Sequence, residues 1–220
     1  MVAPPGRLRD AGPGEIVLVA SLMRSGTHVL IDCILNNFVR YRRRPLYIDL
    51  DQFVGQGRAW RQIADHAGPY LVKTHFPQVE RPGLEEAVTQ LLGSAKVVIP
   101  RRSAADVLRS SEAFDTGLTR DELTRSLDRF DRFWSRVPHL DVEFAQLIDR
   151  ERAPAQLERL AGFLQASPRV PPVLPPDAAQ RLSIYTAKLA TRLLGNRAPV
   201  INTTIRFSGA RHSRGVRGAK

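Results

Sequence analysis

Three short polar clusters contain the residues whose types and spacing could do chemistry. The first runs from Ser21 to Thr27 and places the cation Arg24 beside several hydroxyl groups. The second is Lys73-Thr74-His75, and the third runs from Arg101 to Ser110. Cations and hydroxyls bind phosphate and related oxyanions, and an imidazole can remove a proton near neutral pH. The clusters therefore predict an anion-binding site beside a histidine base.

The first cluster joins a predicted strand to a predicted helix. Ile16 to Ala20 is apolar and β-branched, and apolar residues then recur at helical spacing until about Phe38. A strand, a turn of small residues and a helix together present backbone N–H groups to an anion. No Lys follows Gly26, unlike the G-x-x-x-x-G-K-[ST] loop, and the cation comes two residues earlier. The turn therefore favours a phosphate-type ligand, but not the arrangement that usually holds a Mg²⁺-bound triphosphate.

Strands and helices are predicted to alternate along the rest of the chain. The further predicted strands are Leu46–Leu50, Tyr70–Thr74, Lys96–Pro100 and Leu140–Phe144. The further predicted helices are Leu84–Leu92, Ala104–Phe114 after the cap Ser103, one after the capping box of Thr119 and Glu122, one opened by Pro154, and Ala178–Leu194. This alternation predicts an α/β fold, a three-layer sandwich around a mainly parallel sheet.

All three clusters follow predicted strands. In a parallel sheet, ligands bind beyond the carboxyl ends of the strands, so the clusters are expected to meet at one edge. We expect a single domain over residues 1–220, with a flexible lead-in at 1–14 and a basic tail at 206–220.

The composition favours an anionic partner. The net charge is +11 and the isoelectric point is about 10.9, which suits a phosphorylated cofactor, an acidic substrate, nucleic acid or an anionic membrane. Cys33 is the single cysteine, which excludes an internal disulfide and a cysteine-built metal site. No apolar run reaches the roughly 18 residues of a membrane span, and the start lacks an apolar signal core. A cytoplasmic protein is expected.

Taken together, the clusters resemble the motifs of the cytosolic-type sulfotransferases that use 3′-phosphoadenosine 5′-phosphosulfate (PAPS). Leu22–Val29 is similar to the family's Y-P-K-S-G-T-T-W loop, and Lys73–Pro77 to its K-T-H-x-P element. Arg102–Ser110 is similar to R-N-x-x-D-x-x-x-S, and Ser213–Gly218 resembles the start of R-K-G-x-x-G-D-W. The segment from Val142 resembles the family's Y-E-D-L strand and the helix that follows it. The resemblance covers nearly the whole chain.

The resemblance implies a P-loop NTPase-like fold and in-line transfer of a sulfonate from PAPS to an acceptor hydroxyl or amine. His75 is the implied base, and Lys73 and Arg24 stabilise charge on the leaving oxygen. The implied contacts of the 5′-phosphate are Ser21, Arg24, Ser25, Gly26 and Thr27, and those of the 3′-phosphate are Arg102, Ser110, Arg214 and Gly215. PAPS leaves as 3′-phosphoadenosine 5′-phosphate (PAP), and no metal is expected. The implied acceptor is a small molecule, a glycan or a lipid.

The sequence departs from the family pattern where aromatic residues would face the adenine. Val29 stands where the family has Trp, and Val142 stands where it has Tyr. Phe144 lies two residues beyond Val142, on the same side of the predicted strand, and is expected to supply the missing aromatic face.

Other classes of function remain open from the residues alone. A P-loop kinase or NTPase would use Asp49 or Asp51 to hold Mg²⁺. A nucleic-acid-binding module would use the basic tail, but aromatic residues are not interleaved with its arginines, so no nucleic-acid partner is expected. A sulfotransferase-like protein that binds the nucleotide without turnover is a further alternative, because the tail is short.

Overall fold

A parallel β-sheet organises the chain. The computed structural model describes residues 16–42, 46–53, 69–113, 119–170, 172–174 and 211–212. The strands are β1 (Ile16–Ala20), β2 (Leu46–Asp49), β3 (Tyr70–Thr74), β4 (Ala95–Arg101), β5 (His139–Glu143) and β6 (Arg211–His212). They lie in the order β5-β4-β1-β3-β2-β6, and every neighbouring pair is parallel. The carboxyl ends of the strands therefore share one edge, with β1 inside the sheet.

Helices cover both faces of this sheet. They are α1 (Thr27–Asn37), α2 (Val39–Arg42), α3 (Leu50–Phe53), α4 (Leu84–Leu92), α5 (Ala104–Ala113), α6 (Arg120–Trp134), α7 (Phe144–Ile148) and α8 (Ala153–Leu164). Because side chains alternate along a strand, Leu18 of β1 packs in a core with α4 and α6, and Val19 packs in a second core with α1 and α8. The predicted three-layer α/β fold is confirmed, and the unit β1–loop–α1 gives it a P-loop-like form.

Most of the predicted boundaries agree with the structure. β1, β3 and α4 have the predicted bounds. The caps are also confirmed: the Asp106 N–H donates to Ser103 Oγ at 3.1 Å, and Thr119 forms a capping box with Glu122. Such caps can be read from sequence because they join residues only three positions apart.

Two predicted strands run one residue too far at their carboxyl ends, whereas β4 is one residue longer than predicted at each end and β5 begins one residue earlier. β2 stops at Asp49 because Leu50 begins α3, and β5 stops at Glu143 because Phe144 begins α7. The alternation of residues predicted that Phe144 continues the strand. In the structure Phe144 instead begins the helix α7. The helices α3 and α7 have four and five residues, which is too short for a helical repeat to show in the sequence.

Several predicted features lie outside the described residues. They are the lead-in 1–14, the helix Ala178–Leu194, and Arg214 and Gly215 of the tail. Of the tail, Arg211–His212 is described, and it pairs with Leu46 and Tyr47 of β2. In the part of the chain that the structure describes, no helix is both long enough and apolar enough to cross a bilayer.

The helix α6 positions the segment that follows β3. Trp134 is fully buried near its end, and the indole Nε1 donates a hydrogen bond to the Phe76 carbonyl oxygen at 2.9 Å. The Phe76 ring packs edge-on against Phe133, with ring centroids 4.9 Å apart. Aromatic packing and one hydrogen bond thus anchor the residue next to His75 to the core.

Candidate functional site

The loop between β1 and α1 is shaped by two residues with left-handed backbone. Arg24 has φ 70° and Gly26 has φ 101°. Ser25 closes the turn, because its N–H and its hydroxyl donate to the Leu22 carbonyl oxygen at 3.3 and 2.8 Å. The helix α1 begins immediately afterwards at Thr27. The N–H groups of its first turn therefore face the loop, as in an anion-binding site.

The first and second clusters meet at Ser21. Its hydroxyl lies 2.7 Å from Thr27 Oγ1 and 3.2 Å from His75 Nδ1. Nδ1 also lies 2.8 Å from the carbonyl oxygen of Ser21. Because a carbonyl oxygen can only accept, Nδ1 of the neutral ring carries the proton, and Nε2 keeps its lone pair. The tertiary structure thus selects the tautomer in which Nε2 can act as a base.

His75 is neutral at physiological pH. Burial lowers the pKa of its imidazole to about 4, and the positive charge of Lys73 acts in the same direction. The hydrogen bond to Ser21 and the negative charge of Asp49 oppose this lowering. The imidazole therefore holds no proton on Nε2 near neutral pH, although a pKa this far below 7 makes it a weaker base than an ordinary histidine.

Two carboxylates from the end of β2 hold the second cluster in place. The Lys73 ammonium donates to Asp49 Oδ2 at 2.8 Å and lies 3.9 Å from Asp51 Oδ2. Asp51 accepts from Thr74 Oγ1 at 2.8 Å and from the His75 N–H at 3.0 and 3.1 Å. Burial raises the pKa of Asp51, and these hydrogen bonds and Lys73 act against that rise. The two acids, predicted from sequence only as alternative Mg²⁺ ligands, contact all three residues of the second cluster.

The third cluster contacts the loop at Arg24. The guanidinium Nε of Arg24 donates to Ser110 Oγ at 3.1 Å, and Arg102 Nη1 donates to the Arg24 carbonyl oxygen at 3.0 Å. Burial, followed by the charge of Arg102, lowers the pKa of Arg24. Arg102 and Ser110, predicted to grip one phosphate, are thus brought to one place. Two guanidinium groups at a helix N-terminus form a strongly anion-attracting surface.

Phe144 packs against the loop from α7. A Cβ atom added to Gly26 would lie 2.2 Å from Phe144 Cδ2, so only glycine leaves room for the ring. The guanidinium carbon of Arg102 lies 4.7 Å from the centroid of the same ring. Phe144 therefore supports the loop and Arg102, and its predicted contact with adenine stays a prediction.

Two neighbours of the site were not predicted. Gln78 Oε1 accepts from the Met23 N–H of the loop at 2.6 Å. His28 lies beside Lys73 and His75: desolvation by the surrounding protein, followed by the charges of these two residues, lowers the pKa of its imidazole. In the sequence, the feature that could have indicated Gln78 is its position three residues after His75. For His28, that feature is its position in the first turn of the predicted helix after the loop.

In comparisons with known proteins, the sequence matches no family model and no curated protein. Among solved structures, the chain is similar to shikimate kinase from Bacteroides thetaiotaomicron, with 17% sequence identity and a TM-score of 0.42. The similarity covers 68% of this chain and 98% of that chain. Values this low assign neither a family nor a reaction.

Gly26→Ala should lower the free energy of unfolding by about 1–3 kcal/mol, because a left-handed backbone is strained for alanine and the methyl group overlaps Phe144. Chemical denaturation measures the change. Gly162→Ala is the matched control: Gly162 lies within α8, and a Cβ there meets nothing within 4 Å. That variant should gain about 0.5–1 kcal/mol. Equal stability of Gly26→Ala and the wild type would contradict this account of the loop.

The His75 ring should titrate near pH 4, which the chemical shifts of its ring protons measure by NMR. The folded pKa lies below the ordinary value of 6.5, so the unfolded chain binds a proton first as the pH falls. The contribution of His75 to folding stability is therefore full above about pH 6.5 and is lost progressively towards pH 4. A titration midpoint near 6.5 would show that the ring is not buried as described.

Proposed function

We propose that this protein is a PAPS-dependent sulfotransferase, which transfers a sulfonate to an acceptor hydroxyl or amine. The observation that carries the proposal is the tautomer of His75: Nδ1 is bound to the Ser21 carbonyl oxygen, and Nε2 is left as a base beside the loop. Lys73, which is paired with Asp49, and Arg24, which donates to Ser110, are cations at the same edge of the sheet. A base, an anion loop and two cations are what in-line transfer of a charged group requires.

The reaction follows from these roles. His75 Nε2 removes the proton of the acceptor hydroxyl as the acceptor oxygen forms its bond to sulfur. The bond between sulfur and the 5′-phosphate oxygen breaks, and its electron pair stays on that oxygen. Lys73 and Arg24 stabilise the growing negative charge there, and PAP leaves. A positioned base of this kind contributes roughly 10²–10⁴-fold to the rate.

The residues present fit a phosphorylated and sulfonated nucleotide. Gly26 and Thr27 would hold the 5′-phosphate with N–H groups at the start of α1, together with the hydroxyls of Ser21, Ser25 and Thr27 once these turn from their partners in the loop. Arg102 and Ser110 would hold the 3′-phosphate, together with Arg214 and Gly215 of the tail. The acceptor that we propose is a small molecule, a glycan or a lipid, and the proposed location is the cytoplasm.

One observation favours a second candidate, a P-loop phosphoryl transferase with a metal on Asp49. Asp49 Oδ1 is buried and has no hydrogen-bond partner among the residues that the structure describes. The other three carboxylate oxygens are engaged: Asp49 Oδ2 with Lys73, and both oxygens of Asp51 with Thr74 and His75. A divalent cation that used both acids would have to replace these contacts. Since the loop also lacks a Lys after Gly26, we prefer sulfuryl transfer.

PAP should raise the thermal unfolding temperature in the absence of metal, and Mg·ATP should not. At a ligand concentration of a hundred times Kd, binding stabilises the folded state by about 2.7 kcal/mol. Arg102→Ala should remove most of this shift. Arg109→Ala should keep it, because Arg109 is exposed on α5 and paired with Asp106. Stabilisation by Mg·ATP and not by PAP would instead support the phosphoryl transferase.

His75→Ala should reduce sulfonate transfer from PAPS by roughly 10²–10⁴-fold while the affinity for PAP stays close to that of the wild type. Transfer to a panel of acceptors with labelled PAPS, followed by a binding titration, measures both quantities. His139→Ala is the control, because His139 lies on the outer strand β5, where Nδ1 lies 2.7 Å from the Val137 carbonyl oxygen. Undiminished transfer by His75→Ala would rule out His75 as the base.

A further inference from the structure

Gln78 joins the segment that carries the base to the anion loop. After β3 the backbone folds into a turn in which the N–H groups of Gln78 and Val79 donate to the His75 carbonyl oxygen, at 2.8 and 3.0 Å. From this turn the Gln78 side chain reaches the loop, where Oε1 accepts from the Met23 N–H at 2.6 Å. The Gln78 side chain therefore links the turn after His75 to Met23, the residue before Arg24.

The amide nitrogen of the same side chain takes no part in this hydrogen bond. Because the Met23 N–H donates, the atom that it meets must be the amide oxygen, and the NH₂ group points elsewhere. Gln78 Nε2 is buried and has no hydrogen-bond partner in the described ranges of the chain. A buried donor without an acceptor costs free energy, which an oxygen atom of a ligand would recover once the atoms that cover Nε2 make room for it.

The location of Gln78 indicates which oxygen that is. In the proposed reaction the 5′-phosphate lies on the loop and the acceptor lies at His75, so the sulfonate lies between the two. Gln78 contacts the loop at Met23 and the base segment at the His75 carbonyl oxygen. A sulfonate has only acceptor oxygens, which match the two N–H groups of a primary amide.

We infer that Gln78 Nε2 donates a hydrogen bond to an oxygen of the transferred sulfonate. The inference rests on the proposed function and adds a residue to its substrate-binding groups. A donor at this point orients sulfur between the leaving oxygen and the acceptor, and it stabilises the charge on the sulfonate oxygens during transfer.

Gln78→Glu tests the contact, because it keeps an oxygen for the Met23 N–H and removes the NH₂ donor. PAPS carries the sulfonate and PAP does not, so the two nucleotides isolate its contribution. The affinity for PAPS should fall by about tenfold or more, the loss expected for one hydrogen bond to a charged group. The added negative charge also weakens the binding of PAP, whose 5′-phosphate lies on the same loop, so the inference requires the loss for PAPS to exceed the loss for PAP by about tenfold.

The matched control is Gln90→Glu, the same substitution on α4, where Gln90 Nε2 donates to Glu86. It should leave both affinities and the transfer rate unchanged. Gln78→Met removes the tether and the donor together, so it should weaken the binding of both nucleotides. The thermal unfolding temperature of each variant shows that the comparison is made on folded protein.

The outcomes separate this inference from the proposed function. Equal losses for PAPS and PAP in Gln78→Glu would mean that Gln78 acts on the loop alone, and an effect confined to the KM of the acceptor would place the contact on the acceptor. Either result overturns the sulfonate contact and leaves the proposed function standing. Failure of the wild type to bind either nucleotide would overturn the proposed function itself.

Discussion

The hydrogen bond from His75 Nδ1 to the Ser21 carbonyl oxygen is the interaction on which the site depends. It joins the loop after β1 to the end of β3, which are far apart in sequence. The two ends meet because β1 and β3 are parallel neighbours in register, with Ala20 beside Thr74. The same bond places the imidazole proton on Nδ1, so that the geometry of the sheet decides which nitrogen can act as a base.

The charges around this bond are balanced across three strands. Lys73 is held by Asp49, and Asp51 accepts from the neighbouring Thr74 and His75. A buried carboxylate is costly unless it is hydrogen-bonded, and Asp51 meets this condition with contacts that also position the second cluster. The loop keeps its positive character because it contains Arg24 and because Arg102, after β4, donates to the Arg24 carbonyl oxygen. Acids on the β2 side and cations on the β4 side leave a centre suited to an anion.

The packing around the loop between β1 and α1 restricts which residues it can contain. Phe144 occupies the space over Gly26 and lies under the guanidinium group of Arg102. Arg24 adopts a left-handed backbone although it is not glycine, and its carbonyl oxygen and its side chain bind Arg102 and Ser110 respectively. Contacts of this kind maintain a strained loop conformation because several neighbours require it at once. The third cluster thus contributes to the shape of the loop as well as to its charge.

The sequence alone determined the fold class, most element boundaries and the three clusters that meet at the sheet edge. Those features depend on residues close together in the chain: apolar alternation in β1, helical spacing in α4, and caps such as Thr119 with Glu122. The short helix that begins at Phe144 and the short strand Arg211–His212 carry too few residues for such a pattern.

Only the tertiary structure decided how the site is arranged. The site depends on contacts between residues that are 23 to 55 positions apart in the chain. These contacts join Asp51 to Thr74 and His75, His75 Nδ1 to the Ser21 carbonyl oxygen, and Gln78 to Met23. No local spacing encodes such contacts, because they exist only when the parallel strands bring their carboxyl ends together. The residue types at the site were therefore readable in advance, whereas their partners and protonation depended on the fold.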